Sequence, residues 1–586
     1  MKLSDYVFGF LKDRGAKHVF MLPGGGAMHL VDSLGNSGLD YVCFQHEQGA
    51  AIAAEAYGQH TNKPGIVLTT SGPGATNAIT GVTAGWIDST PMFLVSGQAK
   101  RADLVGDTGV RQIGSQEVQI VPMVEPITKY AVQVMEPTEI RYHMEKAWYL
   151  ATTGRPGPVW LSIPLDVQAA EIEPDILEGF IPDDTENTIS AEVSLAAEQT
   201  LSLLSSAEKP LVLLGNGIKL AGATDKALKL IHKFRLPAQT TWKTIDMLGE
   251  EEPLYAGHPG GMGDRGANLI LQNCDLLISI GSRLDTSLTA FNDAHFAKSA
   301  KKVIVDIDPH ELARMKMKKD VELAADAGVF LDAMLEKADA VTVKPHEDWL
   351  AYCLDIREQY PVVTEDYSKK TGAVSAFYFV DRLSELLKND DVIVPESSGG
   401  AGEITYQAFK IKSGQKMKNA AGLGSMGFGL PYAIGSCIAN DRRRTILING
   451  EGAFQLNVQE LETLHRLQLP VKMFIWNNGG YVSIRNMQNG TFAGHHVACD
   501  ADSGYTTPDC RKVAEAYGFA TYHIKNNIEL DDMLPKLLTD DNPLLCVLDV
   551  DPTEGACPRC KAHRKADGGM ESDFLEDMWP HIGDVR

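Results

Sequence analysis

The stretch 445-TILINGEGAFQLNVQELETLHRLQLPVKMFIWNNGG-480 decides the fold. Thr445–Asn449 is a short apolar run, broken by Gly450-Glu451-Gly452. Val458, Leu461, Leu464 and Leu467 recur at helical spacing, so Asn457–Leu469 reads as a helix. Val471–Trp476 is apolar again and stops at Asn477-Asn478-Gly479-Gly480. The order strand, tight loop, helix, strand is a βαβ unit. Its polar groups lie at the carboxyl ends of both strands, where open parallel sheets bind ligands.

Those groups suit a hard divalent ion and a diphosphate. Mg²⁺ takes carboxylate, amide and carbonyl oxygens together with phosphate oxygens. Glu451, the Asn478 side chain and the Gly480 carbonyl can supply three of them. Gly450, Gly452 and Ala453 leave backbone N–H groups free for phosphate at a helix start, and Tyr481 is a further cofactor-binding candidate. Taken alone, the stretch is also an ordinary βα loop built of turn-forming Gly and Asn.

Totals narrow the class. At 586 residues the chain is too long for one core, so about three domains are expected. A net charge of −23 speaks against a nucleic-acid partner. Met1–Gly15 reads as a mixed amphipathic helix, not a signal peptide, and no apolar run reaches the roughly 18 residues of a membrane span. Nine scattered Cys fit reduced thiols in a cytoplasm. The one C-x-x-C, Cys557–Cys560, lacks the second pair that a zinc site would need.

Residues 1–180 alternate strand and helix. Strands are expected at His18–Leu22, Tyr41–Gln45, Gly65–Thr70 and Met92–Ser96, with helices at Ala27–Leu34, Gln48–Gln59 and Ala75–Asp88. Glu47 opens an Ala-rich helix, where a carboxylate gains a few tenths of a kcal/mol from the dipole. A polar stretch at Ile181–Asn187 reads as a linker. Residues 190–340 form a second α/β unit, with strands at Pro210–Leu214, Cys274–Ile280 and Lys302–Ile307. Residues 365–550 form a third, and residues 551–586 a tail. The fold class expected is α/β, with three doubly wound parallel-sheet domains.

Several segments resemble the thiamine-diphosphate (ThDP) enzymes of the acetolactate (acetohydroxyacid) synthase family. They are VFMLPGGGAMHLVDSL, FQHEQGAAIAAEAYGQ, TTSGPGATNAITGVTAGWIDSTPMFLVSGQ, TGRPGPVWLSIPLDVQ and the octapeptide Gly422–Gly429, GLGSMGFG. In the opening stretch, Gly450-Glu451-Gly452 stands where that family has G-D-G, and Asn477-Asn478 where it has N-N. Glu replaces the usual Asp. The resemblance implies a pyrimidine-binding, a central and a diphosphate-binding domain. It makes Glu47 the catalytic glutamate at the cofactor's N1′, a role served by a buried carboxyl that holds its proton. Gln116 then borders the reaction centre, and Pro23 and Gly24 are cofactor-binding candidates. Gly424 offers its carbonyl to the 4′-amino group, and Met426 wedges between the two rings. The octapeptide also matches G-x-G-x-x-G, so a dinucleotide reading competes with this one.

The same resemblance implies ThDP and Mg²⁺ as cofactors and a homodimer or homotetramer with each active site at a subunit interface. Family members hold FAD in the central domain in a non-redox role; the fingerprint here is loose, and FAD is left open. A 2-oxo acid, pyruvate, is the donor and a carbonyl compound the acceptor. Four positions depart from the family's pattern for a carboxylate acceptor. Ser287 replaces an arginine, Leu165 a lysine, Ser115 a phenylalanine and Met487 a tryptophan. The segments GGYVSIRNMQNG and GHHVACDADSGYTTPDCRKVAEAYG are similar to homologues found with surface-polysaccharide genes. Those include a carboligase acting on a nucleotide-linked 4-keto sugar. Acetolactate synthesis, simple decarboxylation or C–C lysis, NAD-dependent oxidoreduction and a non-catalytic homologue are the alternatives.

Overall fold

A computed structural model describes residues 1–182, 189–565 and 568–582. Three parallel sheets organise them, as the βαβ pattern requires. The first contains β1 (His18–Met21), β2 (Asp40–Cys43), β3 (Gly65–Thr69), β4 (Met92–Gln98), β5 (Tyr130–Gln133) and β6 (Pro158–Pro164), in the order β2-β1-β3-β4-β6-β5. The second contains β7 (Pro210–Leu214), β8 (Ala238–Thr240), β9 (Leu276–Ile280), β10 (Lys301–Asp306) and β11 (Val321–Ala324), in the order β11-β10-β9-β7-β8. The third contains β12 (Val392–Pro395), β13 (Lys416–Met417), β14 (Thr445–Gly450), β15 (Val471–Asn477), β16 (Ala520–Ile524) and β17 (Leu544–Asp549), in the order β13-β12-β14-β15-β17-β16. The central strands β3, β4, β7 and β9 are buried along their whole length, because helices cover both faces of such sheets.

The first and third sheets share a core. The helix Glu47–Thr61 packs against the helix Gly429–Ala439, and residues of both belong to one hydrophobic cluster. Small residues make this approach close: a Cβ on Gly435 would lie 2.2 Å from the Ala53 carbonyl oxygen. The central sheet keeps a separate core of its own.

Two expected helices differ from those observed. The one expected at Ala75–Asp88 is two, Pro73–Asn77 and Ile79–Ile87, because Ala78 makes a tighter bond back to the Ala75 carbonyl (3.2 Å). The one expected at Asn457–Leu469 runs only over Glu460–Leu467. A short helix, Glu451–Phe454, and a 3₁₀ turn, Gln455–Asn457, precede it, since the buried Asn457 turns its side chain to other segments. The linker expected at Ile181–Asn187 falls largely on residues 183–188, outside the described residues.

The C-terminal segment folds back. Its hairpin pairs Ala562–Arg564 with Met570–Ser572. Cys560 N donates to the Gly261 carbonyl (2.7 Å), and Gln407 Nε2 donates to the Pro558 carbonyl (2.7 Å). Burial raises both C-x-x-C thiols, Cys560 to about 12, so they stay protonated. Among the described residues no helix is long and apolar enough to cross a membrane.

Candidate active site

The parallel register of the third sheet brings the carboxyl ends of β12, β14 and β15 side by side: Pro395 pairs with Ile448, and Gly450 with Trp476. Glu451 follows β14 and is buried. Its Oε1 accepts the backbone N–H of Gly480 (2.8 Å) and of Asn478 (3.2 Å). Burial pushes this carboxyl up, and the N–H groups of Gly480 and its neighbours pull it back. Beside it, the buried Asn478 Oδ1 has no hydrogen-bond partner among the described residues. A carboxylate and an orphaned amide oxygen are hard ligands, so the donor set fits Mg²⁺. Glu in place of Asp fits too, because its longer arm reaches the loop after the neighbouring strand.

Gly452 has no space for a side chain. A Cβ there would lie 2.5 Å from the Tyr481 ring and 2.9 Å from the Tyr505 hydroxyl, and these two rings stack at 4.1 Å. Gly450, by contrast, faces open space, and Ala453 is buried beside it. Tyr481 N donates to the Cys499 carbonyl (2.8 Å), which lies against Gly480. The loop from Cys499 is itself held by Asp500, which accepts from Ser503 N (3.0 Å) and Ser503 Oγ (2.7 Å).

The octapeptide is fixed along its length. A Cβ on Gly422 would lie 2.1 Å from Asp88 Oδ1. Gly424 adopts a left-handed φ of +63° and donates to the Ala420 carbonyl (3.1 Å). The Gly427 carbonyl accepts Asn457 Nδ2 (2.7 Å), and Gly429 N donates to Glu396 Oε2 (3.0 Å). Met426 is 40 % exposed, so it fills no core in this chain.

In the first domain, the loops after β1 and β3 meet the start of the Glu47 helix. Thr70 Oγ1 accepts Gly26 N (3.1 Å), and its side chain occupies the space that a Cβ on Gly24 would need, next to Pro23. Glu47 is buried, its Oε2 accepts Asn77 Nδ2 (3.0 Å), and His46 caps the helix by accepting Gln48 N at Nδ1 (3.1 Å). Gln116 has φ +57° and an exposed side chain; its carbonyl lies against Gly72. Asn457 bridges the two domains within one chain, donating to Gly427 and to Gln48 Oε1 (3.2 Å). No hydrogen bond among the described residues joins Glu47 or Gln116 to Glu451 or Asn478.

Glu396, Asn457 and Asn77 are polar groups of this site that the sequence reading missed. Glu396 carried a signal: it ends an apolar strand and precedes Ser397-Ser398-Gly399-Gly400, the same pattern as the two strands that were read. It is fully buried, which pushes its carboxyl up to about 7 against the pull of the N–H groups of Ser397 and Gly429.

The central sheet opens on a cavity of about 340 Å³, walled by Asn216, Gly217, Arg283 and Asp306 with Asp88 and Gly422 from the other two domains. Burial pushes the Asp306 carboxyl up. Ser287 also lines it; Gly261 N donates to the Ser287 carbonyl (2.8 Å). Ser115 and Met487 are exposed, and Leu165 is half-buried at a helix start.

Three parallel α/β domains, with buried polar groups at the strand ends of the first and third, have the architecture of an α/β enzyme that binds its ligand at the carboxyl ends of its strands. Comparison makes the class specific. The thiamine pyrophosphate (TPP) enzyme family matches three times: its N-terminal TPP binding domain over residues 1–122, its central domain over 197–334 and its C-terminal TPP binding domain over 398–548. Acetolactate synthase isozyme 2 large subunit of Escherichia coli is 31% identical over 579 residues, covering 99% of this chain and 100% of the relative. The acetolactate synthase large subunit of Lactococcus lactis is 30% identical, covering 98% and 97%. The probable acetolactate synthase large subunit of Methanocaldococcus jannaschii is 30% identical, covering 94% and 93%. The chain belongs to the thiamine pyrophosphate enzyme family and is an enzyme of the acetolactate synthase-like kind.

Proposed function

We propose that this enzyme decarboxylates a 2-oxo acid, pyruvate, and transfers the two-carbon unit to a carbonyl acceptor that carries no carboxylate, a nucleotide-linked keto sugar being the acceptor class. The observation that carries the cofactor reading is the unpartnered Asn478 Oδ1 buried beside Glu451 at the strand ends. Glu451, Asn478 and the Gly480 carbonyl hold Mg²⁺, and Gly450, Gly452, Ala453 and Tyr481 surround the diphosphate. ThDP supplies the carbanion chemistry of decarboxylation and ligation once bound. Glu47 would stand at N1′ of the aminopyrimidine, kept in place by Asn77. The Gly424 carbonyl would accept the 4′-amino group, and the exposed Met426 would lie against the cofactor. Gln116 stands at the substrate side.

Support for the acceptor class comes from what is absent. A carboxylate acceptor needs fixed cations, and Ser287 and Leu165 offer none where related synthases place arginine and lysine. Ser115 and Met487, both exposed, leave room in place of two large aromatics. The names of the relatives favour a second reading, synthesis of acetolactate from two pyruvates. A nucleotide cofactor would enter the central cavity, which Asp306 lines at the end of β10, and FAD is included in the proposal on this ground. A homodimer or homotetramer sharing its active sites, in the cytoplasm, completes it.

The test is pyruvate labelled at C2 and C3, given alone and with a panel of aldehydes, ketones and nucleotide-linked keto sugars. The reading expects a neutral acceptor to gain two labelled carbons. Brisk acetolactate formation that no acceptor diminishes would establish the second reading instead.

A further inference from the structure

Lys243 comes from the central domain and touches both of the others. It sits in the 3₁₀ turn Trp242–Met247, closed by Thr241 N donating to Thr244 Oγ1 (2.9 Å). Trp242 stacks on Tyr406 at 5.0 Å, and the Tyr406 hydroxyl donates to Asn419 Oδ1 (3.1 Å). The turn is therefore held against the segment that leads into the octapeptide. The Lys243 ammonium has three donors, and each is used: Asp88 Oδ2 (2.6 Å), the Asn419 carbonyl (2.6 Å) and Gln59 Oε1 (3.1 Å). Asp88 continues the contact, since its other oxygen fills the space beside Gly422. Gln59 is pinned in turn by the buried Glu55, which accepts its Nε2.

We propose that Lys243 is a positioning residue for the cofactor site: by holding Asp88 and the Asn419 carbonyl together it sets where Gly422–Gly429 runs, and so where the Gly424 carbonyl stands. This rests on the ThDP reading above. Lys243 touches no reacting atom, and it acts through Asp88 and Asn419. A nearby lysine provides the comparison. Lys219 pairs with the fully buried Asp246 at the same three-domain junction but bonds neither Asp88 nor Asn419.

The test is ThDP binding to the purified full-length chain at saturating Mg²⁺, read by tryptophan fluorescence. Lys243→Met is expected to weaken ThDP by roughly tenfold to a hundredfold, the loss of one charge-assisted anchor. Turnover at saturating ThDP should largely return. Lys243→Arg should restore most of the affinity, and Lys219→Met, whose partner Asp246 lies in the same turn but which reaches neither Asp88 nor Asn419, should cost clearly less than Lys243→Met even where it lowers the melting temperature. If Lys243→Met does not fold, Asp88→Asn replaces it and is read the same way. Wild-type affinity in the variant, or an equal loss in Lys219→Met, overturns the proposal alone. A wild-type chain that binds no ThDP overturns the reading beneath it as well.

Discussion

Glu451 Oε1 accepts the backbone N–H of Gly480 at 2.8 Å, so the carboxylate after β14 fixes the loop after β15. One side chain thus shapes the loop, and in the proposed function it is also a ligand of Mg²⁺. Glu451→Gln keeps the shape and removes the charge. It is expected to weaken Mg²⁺ by roughly tenfold to a hundredfold, about 1.5–3 kcal/mol of charge-assisted interaction. Glu451→Asp keeps the charge but cannot span to Gly480 as well, so it should hold Mg²⁺ while loosening the loop. Mg²⁺ titration of ThDP-dependent turnover measures both. Equal Mg²⁺ affinity in Glu451→Gln and wild type would remove Glu451 from the ligand set.

Glu47→Gln should lower turnover by roughly 10²–10⁴, the range of a lost acid–base group. Asn77→Ala should cost less, because it frees the carboxyl without removing it. Circular dichroism must show both variants folded. A folded Glu47→Gln enzyme with near-normal pyruvate consumption would end the assignment.

The buried Glu396 makes the cofactor-free protein sensitive to pH. Its carboxyl is raised from 4.5 to about 7, so between those values the folded chain binds more protons than the unfolded one. Stability from this group is therefore greatest below 4.5 and falls as pH rises to about 7. Glu396→Gln is neutral at every pH and should flatten the fall in melting temperature from about pH 5 to about pH 8. An unchanged pH slope would show that other groups set it.

The strand ends were legible because apolar runs stopped by Gly and Asn can be read one residue at a time. Glu451 and Asn478 stand where that reading put them, at adjacent strand ends. Glu396 carried the same signal in weaker form. Asn457 and Lys243 carried none: each acts through partners far away in sequence, Gln48 for the first, Gln59, Asp88 and Asn419 for the second. The composition of the Glu47 helix showed that it packs closely, and only the fold shows against what, the helix Gly429–Ala439 of another domain. The broken helix after Pro73 and the shortened one after Asn457 were hidden because apolar periodicity continues through both breaks.

The proposed sharing of active sites predicts complementation between subunits. Glu47→Gln and Asn478→Ala chains, each inactive alone, should regain activity after subunit exchange, because one of the two sites in a mixed dimer is then intact. Light scattering fixes the assembly state. A fully active monomer would contradict shared sites.

The central claim is tested most directly by release of labelled CO₂ from pyruvate carrying the label in its carboxyl group, with ThDP and Mg²⁺ present or withheld. The account predicts release that requires both, that is abolished in Asn478→Ala, and that rises when a neutral carbonyl acceptor is added. No release from the folded, fully supplied wild-type chain, or release indifferent to ThDP, would contradict it.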